Sequence, residues 1–87
     1  MTATTDGYVT LLWDAKAKPG REGDLKAFLP AAVTPSRSDP GNIDYEAHEV
    51  EGQVGVFVIY QRWQNRAFLD AHLRAPRTRL LCWRYSN

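Results

Sequence analysis

Two alternating runs, placed so close together that they must pair, constrain this chain more than any other feature. In residues 43–48, Ile43, Tyr45 and Ala47 alternate with Asp44, Glu46 and His48, the period of two expected of a strand with one buried face. Val54 to Trp63 is a second β-rich run, and Glu51-Gly52-Gln53 between them can turn the chain back into an antiparallel hairpin. Pairing odd positions of the first run with even positions of the second puts Ile43, Tyr45, Ala47, Val56, Val58 and Tyr60 on one face. Asp44, Glu46, His48, Phe57, Ile59, Gln61 and Trp63 then share the other. A one-residue slip would exchange these partners.

The flanks supply the rest of an architecture. Tyr8 to Ala17 reads as a strand, with Pro19-Gly20 closing it as a turn. Leu25, Phe28, Leu29, Ala32 and Val33 then fall at helical spacing on one face. Pro30 predicts a kink or restart near Leu29, and the helix is expected to end before Pro35. Ser36 to Gly41 is a turn-rich connection. Asn65 is placed to cap a second helix, whose stripe of Phe68, Ala71, His72 and Ala75 runs up to Pro76, and Leu80 to Tyr85 can supply a short closing strand. Strand, helix, strand, strand, helix is the split βαβ order. The reading is an α+β, ferredoxin-like βαββα(β) fold, its final strand short or absent, with residues 1–87 as a single domain.

At 87 residues the chain buries a small share of its surface and gains from association. A homodimer is expected through the sheet face bearing Phe57, Ile59 and Trp63, large apolar groups that a lone sheet would leave in water. A hydrophobic fraction of 44% and a charged fraction of 24% argue against disorder and against a membrane protein. With no apolar run near the roughly 20 residues of a spanning helix, and with Met1 to Gly7 neither basic nor apolar, a cytoplasmic location without a membrane partner is expected. Cys82 stands alone, which excludes an intramolecular disulfide and a zinc-type spacing. Arg62, Arg66, Arg74, Arg77, Arg79 and Arg84 face one acid, Asp70, beyond Gln61. No nucleic-acid motif accompanies them, so they read as a solvated surface and no nucleic-acid partner is expected.

Three ordered motifs go further. Arg37-x-Asp39-x-Gly41-Asn42-x-x-Tyr45-Glu46-x-His48, then Phe57-Val58-Ile59-Tyr60-x-x-Trp63, then Ala67-x-x-x-Ala71-His72-Leu73-x-x-Pro76 together resemble the antibiotic biosynthesis monooxygenase domain family. Asp39, Gln61 and Arg77 depart from that pattern, where Glu, Glu and His are usual, and relatives commonly continue through more helix and a full fourth strand. The resemblance implies a dimeric α/β-barrel with a pocket in each subunit between sheet and helices. It implies activity less firmly, since members range from cofactor-independent oxygenases of phenols, quinols and anthrones to haem-degrading enzymes, and a fold hosts many functions.

A cofactor-free oxygenase draws its electrons from the substrate once deprotonation makes it electron-rich, so it needs a base, an anion stabiliser and a dry aromatic pocket. The two histidines, His72 and His48, are the candidate catalytic bases. A buried histidine satisfied by a carbonyl and a polar residue at the dimer face are the plainer explanations of each. Tyr45, Tyr60 and Trp63 are candidates to line an aromatic substrate, and Asn42 and Arg37 to polarise its oxygens. These five equally suit core packing and turn ordering. Asp44, Glu46 and His48 sit about 6.5 Å apart along one strand face, a long reach for converging on one ion at about 2 Å, so no metal is expected. Haem-degrading relatives carry an axial histidine about ten residues beyond the position of His72, where Cys82 stands here. No cofactor is expected, and the partners are a small aromatic substrate and dioxygen. The function read from the sequence is a cofactor-independent monooxygenase of a phenolic, quinol or anthrone-type aromatic in secondary metabolism. The alternative is a non-oxidative small-molecule binder or polyketide cyclase of the same fold, and a dimeric interaction module is a third reading.

Overall fold

The computed structural model describes residues 1–5 and 7–81. Its elements are β1 (Thr2–Thr5), β2 (Tyr8–Lys16), α1 (Glu22–Ser36), β3 (Asn42–Glu49), β4 (Val56–Trp63), α2 (Arg66–Leu73) and α3 (Pro76–Leu80). The four strands form one antiparallel sheet in the order β1-β2-β4-β3, and the fold is α+β and ferredoxin-like. The strand beside β2 is the N-terminal β1, which the sequence reading did not include. Nothing in the polar, Thr-rich stretch 2–5 signalled it. Leu80 ends a helix rather than opening a strand, and most of the expected closing strand, Cys82 included, lies outside the described residues.

The hairpin register differs from the sequence reading and changes the meaning of both sheet faces. Tyr45 pairs with Gln61, Ala47 with Ile59 and Glu49 with Phe57, so odd positions meet odd ones. The turn is longer than Glu51-Gly52-Gln53. Val50 donates to Val56 O at 2.8 Å, while Gln53 and Val56 close further turns inside that loop, with Gly52 and Gly55 both at positive φ. Phe57, Ile59, Gln61 and Trp63 therefore join Tyr45 and Ala47 under the helices. Phe57, Ile59 and Trp63 are core and cannot form a dimer face. The opposite, uncovered face carries Leu12, Asp14, Glu46, His48, Val58 and Tyr60 in cross-strand rows.

Helix α1 is continuous through Pro30 and past the expected end at Pro35. Both prolines are exposed, so the carbonyls that lose their i→i−4 donors, those of Lys26 and Ala31, belong to the solvent side, where water can replace the missing bond. Leu25, Leu29 and Ala32 face inward as the periodicity requires, with Phe28 and Val33 packed beside them. In α2, Asn65 Oδ1 accepts from Phe68 N at 3.2 Å, a side-chain cap. The inward residues are Leu69 and His72, while Ala71 is exposed. Gly41, at φ +79, ends the connection from α1. A Cβ there would collide with the Phe68 ring, so the glycine lets this loop lie directly against α2.

Candidate active site around His72

Buried polar side chains in a small core need partners, and Ser36, Gln61, His72 and Thr78 are all buried. They belong to one connected group. His72 projects from α2 between two aromatic rings, with its centroid 4.7 Å from Trp63 and 5.3 Å from Tyr45, the latter edge-on. Its Nδ1 lies 3.0 Å from Asp39 Oδ2, and its Nε2 lies 3.4 Å from Thr78 Oγ1. Asp39 also accepts from Arg77 Nη2, and Arg77 Nε donates to Ser36 Oγ at 3.3 Å. Ser36 in turn donates to Ala32 O at 2.6 Å. Trp63 Nε1 donates to Gln61 Oε1 at 2.9 Å.

These contacts fix the imidazole's tautomer. A carboxylate only accepts, so Nδ1 carries the proton toward Asp39 and Nε2 presents its lone pair to the Thr78 hydroxyl. Burial pushes the His72 pKa below 6.5; the hydrogen bond and charge of Asp39 oppose this, and the charge of Arg77 adds to it. The ring is thus neutral at pH 7, with a basic nitrogen at one end and a carboxylate ready to stabilise the imidazolium at the other.

Only part of the sequence-derived set meets here. His72, Tyr45 and Trp63 come together. Tyr60 lies on the opposite sheet face, in the row of Leu12 and Glu46. His48 is on that face as well, exposed, with Nε2 3.4 Å from Glu46 Oε1. Asn42 donates from Nδ2 to Asp44 O at 3.0 Å and Arg62 O at 3.3 Å, bridging the irregularity at Ile43 where β3 pairs with β4. Arg37 Nε donates to Tyr45 O at 2.9 Å, tying the end of α1 to the strand behind His72. Asp44, Glu46 and His48 do share a face, but Asp44 is held by Arg62 at 3.1 Å. No cluster of three metal-binding side chains occurs among the described residues.

Asp39, Thr78, Arg77 and Gln61 were not among the candidates. Asp39 and Arg77 had signalled themselves as departures from the family pattern, and they depart together as an ion pair. Gln61 was a departure from that pattern too but was placed on the wrong sheet face, and Thr78 gave no signal, because it sits past a proline on a segment without periodicity.

Two cavities flank the group. One of about 130 Å³ is lined by Asp39, Pro40, Phe68, Ala71, His72 and Ala75. The other, about 230 Å³, lies between β2 and the helices α2 and α3 and includes Leu11, Trp13, Gln61, Leu73 and Thr78 in its wall. A wider groove of about 420 Å³ runs between α1 and β3, past Val33, Arg37 and Phe57, away from His72.

Comparison with known proteins agrees with this architecture. The family model described as antibiotic biosynthesis monooxygenase matches residues 9–79. An uncharacterised protein of Synechocystis is 34% identical over 71 residues, which is 82% of this chain and 48% of that protein. A Mycobacterium tuberculosis protein provisionally named a monooxygenase, Rv0793, is 32% identical over 68% of this chain and 57% of its own length. The chain thus spans about half the length of these relatives. The solved structure of Rv0793 superposes with a TM-score of 0.77 at 26% identity, covering 88% of this chain and 78% of that one. That of PA3566 from Pseudomonas aeruginosa superposes at 0.83 and 24% identity, covering 98% and 90%. On the family match, the chain belongs to the antibiotic biosynthesis monooxygenase family.

Proposed function

We propose that the chain is a cofactor-independent monooxygenase that oxidises a phenolic, quinol or anthrone-type aromatic, with His72 as the base. The observation that carries this reading is the His72–Asp39 pair, a neutral imidazole held by a carboxylate through Nδ1 and packed between Tyr45 and Trp63. Removal of a substrate proton leaves an electron-rich anion able to reduce dioxygen. For an anthrone-type carbon, CH₂ becomes C=O while one oxygen atom enters the product and the other leaves as water, so the four electrons given by the carbon are those that dioxygen takes. His72 accepts the first proton, Asp39 stabilises the charge that results, and Trp63 and Tyr45 keep the surroundings dry. A role in secondary metabolism, a cytoplasmic location and a homodimer belong to the same reading. No described helix is long and apolar enough to cross a membrane.

The His72 side chain has no solvent exposure, and this observation favours the alternative of a non-oxidative binder or cyclase. Oxygen uptake with a panel of hydroxylated anthrones and quinols separates the two. Wild type is expected to consume oxygen, His72→Ala to lose roughly 10²- to 10⁴-fold in turnover, and His48→Ala to retain it. Loss in the His48 variant alone moves the base to His48, and no uptake by wild type favours the alternative.

A further inference from the structure

His72 is closed off from solvent, and among the described residues the group within hydrogen-bond distance of its basic Nε2 is Thr78. We propose that Thr78 is a catalytic residue that relays the ligand's proton to His72, and that the ligand is a one- or two-ring phenol or quinol bound in the cavity between β2, α2 and α3. This rests on the reading of His72 as base and adds to it the path and the binding site.

Thr78 belongs both to the polar group and to the wall of the 230 Å³ cavity. With Nε2 as acceptor, its O–H bond points to His72, and the lone pairs of Oγ1 remain to accept from a ligand hydroxyl. The transfer is concerted and balanced. The ligand O–H bond breaks as a bond forms to Thr78 Oγ1, the original Thr78 proton moves to His72 Nε2, and the products are a bound phenolate, an unchanged threonine and an imidazolium paired with Asp39.

The other polar group of the wall fits the same ligand. Trp63 Nε1 can only donate, so Gln61 must turn its oxygen to it, which leaves the amide NH₂ of Gln61 for the cavity. That donor can hold a ligand oxygen while charge develops there. Met1, Leu11, Leu12, Trp13 and Leu73 make the rest of this wall apolar. A volume of about 230 Å³ falls below the roughly 300–1,000 Å³ of drug-sized ligand sites, which narrows the proposed substrates to one- and two-ring phenols and quinols and leaves out the three-ring anthrones. The smaller cavity has His72 and Asp39 but not Thr78 in its wall, and Ala71→Trp tests it as the competing route.

Isothermal titration with 1-naphthol, combined with NMR of the His72 ring nitrogens, tests the assignment whether or not oxygen is consumed. Saturable binding to wild type is expected. Leu73→Trp, which fills the cavity from a half-exposed position, should weaken it at least about tenfold, whereas Ala71→Trp and Val33→Trp, which fill the other two spaces, should leave it within about twofold. Binding should move the Nε2 resonance of His72 in wild type and Thr78→Ser but not in Thr78→Val, which keeps the shape and loses the hydroxyl. With an oxidisable quinol, Thr78→Val should lower kcat by about 10- to 100-fold and Thr78→Ser restore most of it. Absent binding, binding lost in Ala71→Trp or Val33→Trp rather than Leu73→Trp, or an Nε2 response that persists in Thr78→Val overturns the proposal. The expected binding and NMR pattern without oxygen uptake overturns the oxygenase reading and leaves the relay standing.

Discussion

Replacing Asp39 by asparagine tests the central pair directly, because asparagine keeps the shape and an acceptor oxygen while removing the charge. Asp39 Oδ2 serves both His72 Nδ1, at 3.0 Å, and Arg77 Nη2. Burial lowers the His72 pKa most, the hydrogen bond and charge of Asp39 raise it, and Arg77 lowers it. In Asp39→Asn the raising influences shrink while burial and Arg77 remain, so the pKa moves further down. Arg77→Gln removes a lowering influence, so the pKa moves up. Under the proposed function, the imidazolium also loses a charge-assisted hydrogen bond worth about 1.5–3 kcal/mol, which lowers kcat by roughly 10- to 150-fold. Arg77, whose side chain is 28% exposed, loses its anion at a further cost of about 1–3 kcal/mol in stability. The double variant should therefore recover stability without recovering turnover. NMR titration of the His72 ring in wild type and both single variants, with thermal melts alongside, measures all of this except kcat. An upward move in Asp39→Asn, or the same direction in both single variants, refutes the reasoning.

Gly41→Ala should destabilise the fold by more than the roughly 1–2 kcal/mol of a left-handed alanine, since its Cβ also meets Phe68; a thermal melt measures the loss, and Phe68→Ala should relieve the steric part. Val58→Arg, on the uncovered sheet face, should convert a dimer to a monomer in sedimentation at micromolar concentration, and equal masses for wild type and variant would remove this face as the interface. The depressed pKa of buried His72 makes the unfolded chain bind the extra proton as pH falls below 6.5, so stability is complete above that value and declines toward the folded pKa. Urea midpoints between about pH 7.5 and 5 should show this slope in wild type and a shallower one in His72→Gln.

Periodicity made most of the fold legible. The Leu25 to Val33 stripe, the Asn65 cap and both hairpin strands stand where the pattern places them, because burial of one face dictates each spacing. Register was not legible, since it turns on how many residues the loop from Val50 to Gly55 consumes, and that count is set by two positive-φ glycines rather than by hydrophobicity. One residue of slip moved Trp63 and Gln61 into the core and Tyr60 out of it. The same slip split the site prediction, keeping Tyr45 near His72 but separating it from Tyr60. Thr78 and Asp39 meet His72 through chain folding across six and 33 residues, contacts that no local pattern encodes. Pro35 misled for a simpler reason, because a proline on the solvent side of a helix costs less than one facing the core.

The strand β1 stands guard over its neighbour. It pairs with β2 only from Tyr8 to Leu11, and the backbone of Met1 adds a bond in each direction with Leu12. Behind this short ladder lies Tyr8-Val9-Thr10-Leu11-Leu12-Trp13, six residues rich in β-formers with no charge and no proline, the composition of a segment prone to cross-β stacking. Where the cover stops, Asp14 and Lys16 place exposed charges along the strand, which discourages a second chain from adding there. Four residues of ladder fray readily. Mild heating should thus open this edge before the core melts, and concentration-dependent fibril growth rather than simple unfolding should be the first failure of the protein in storage.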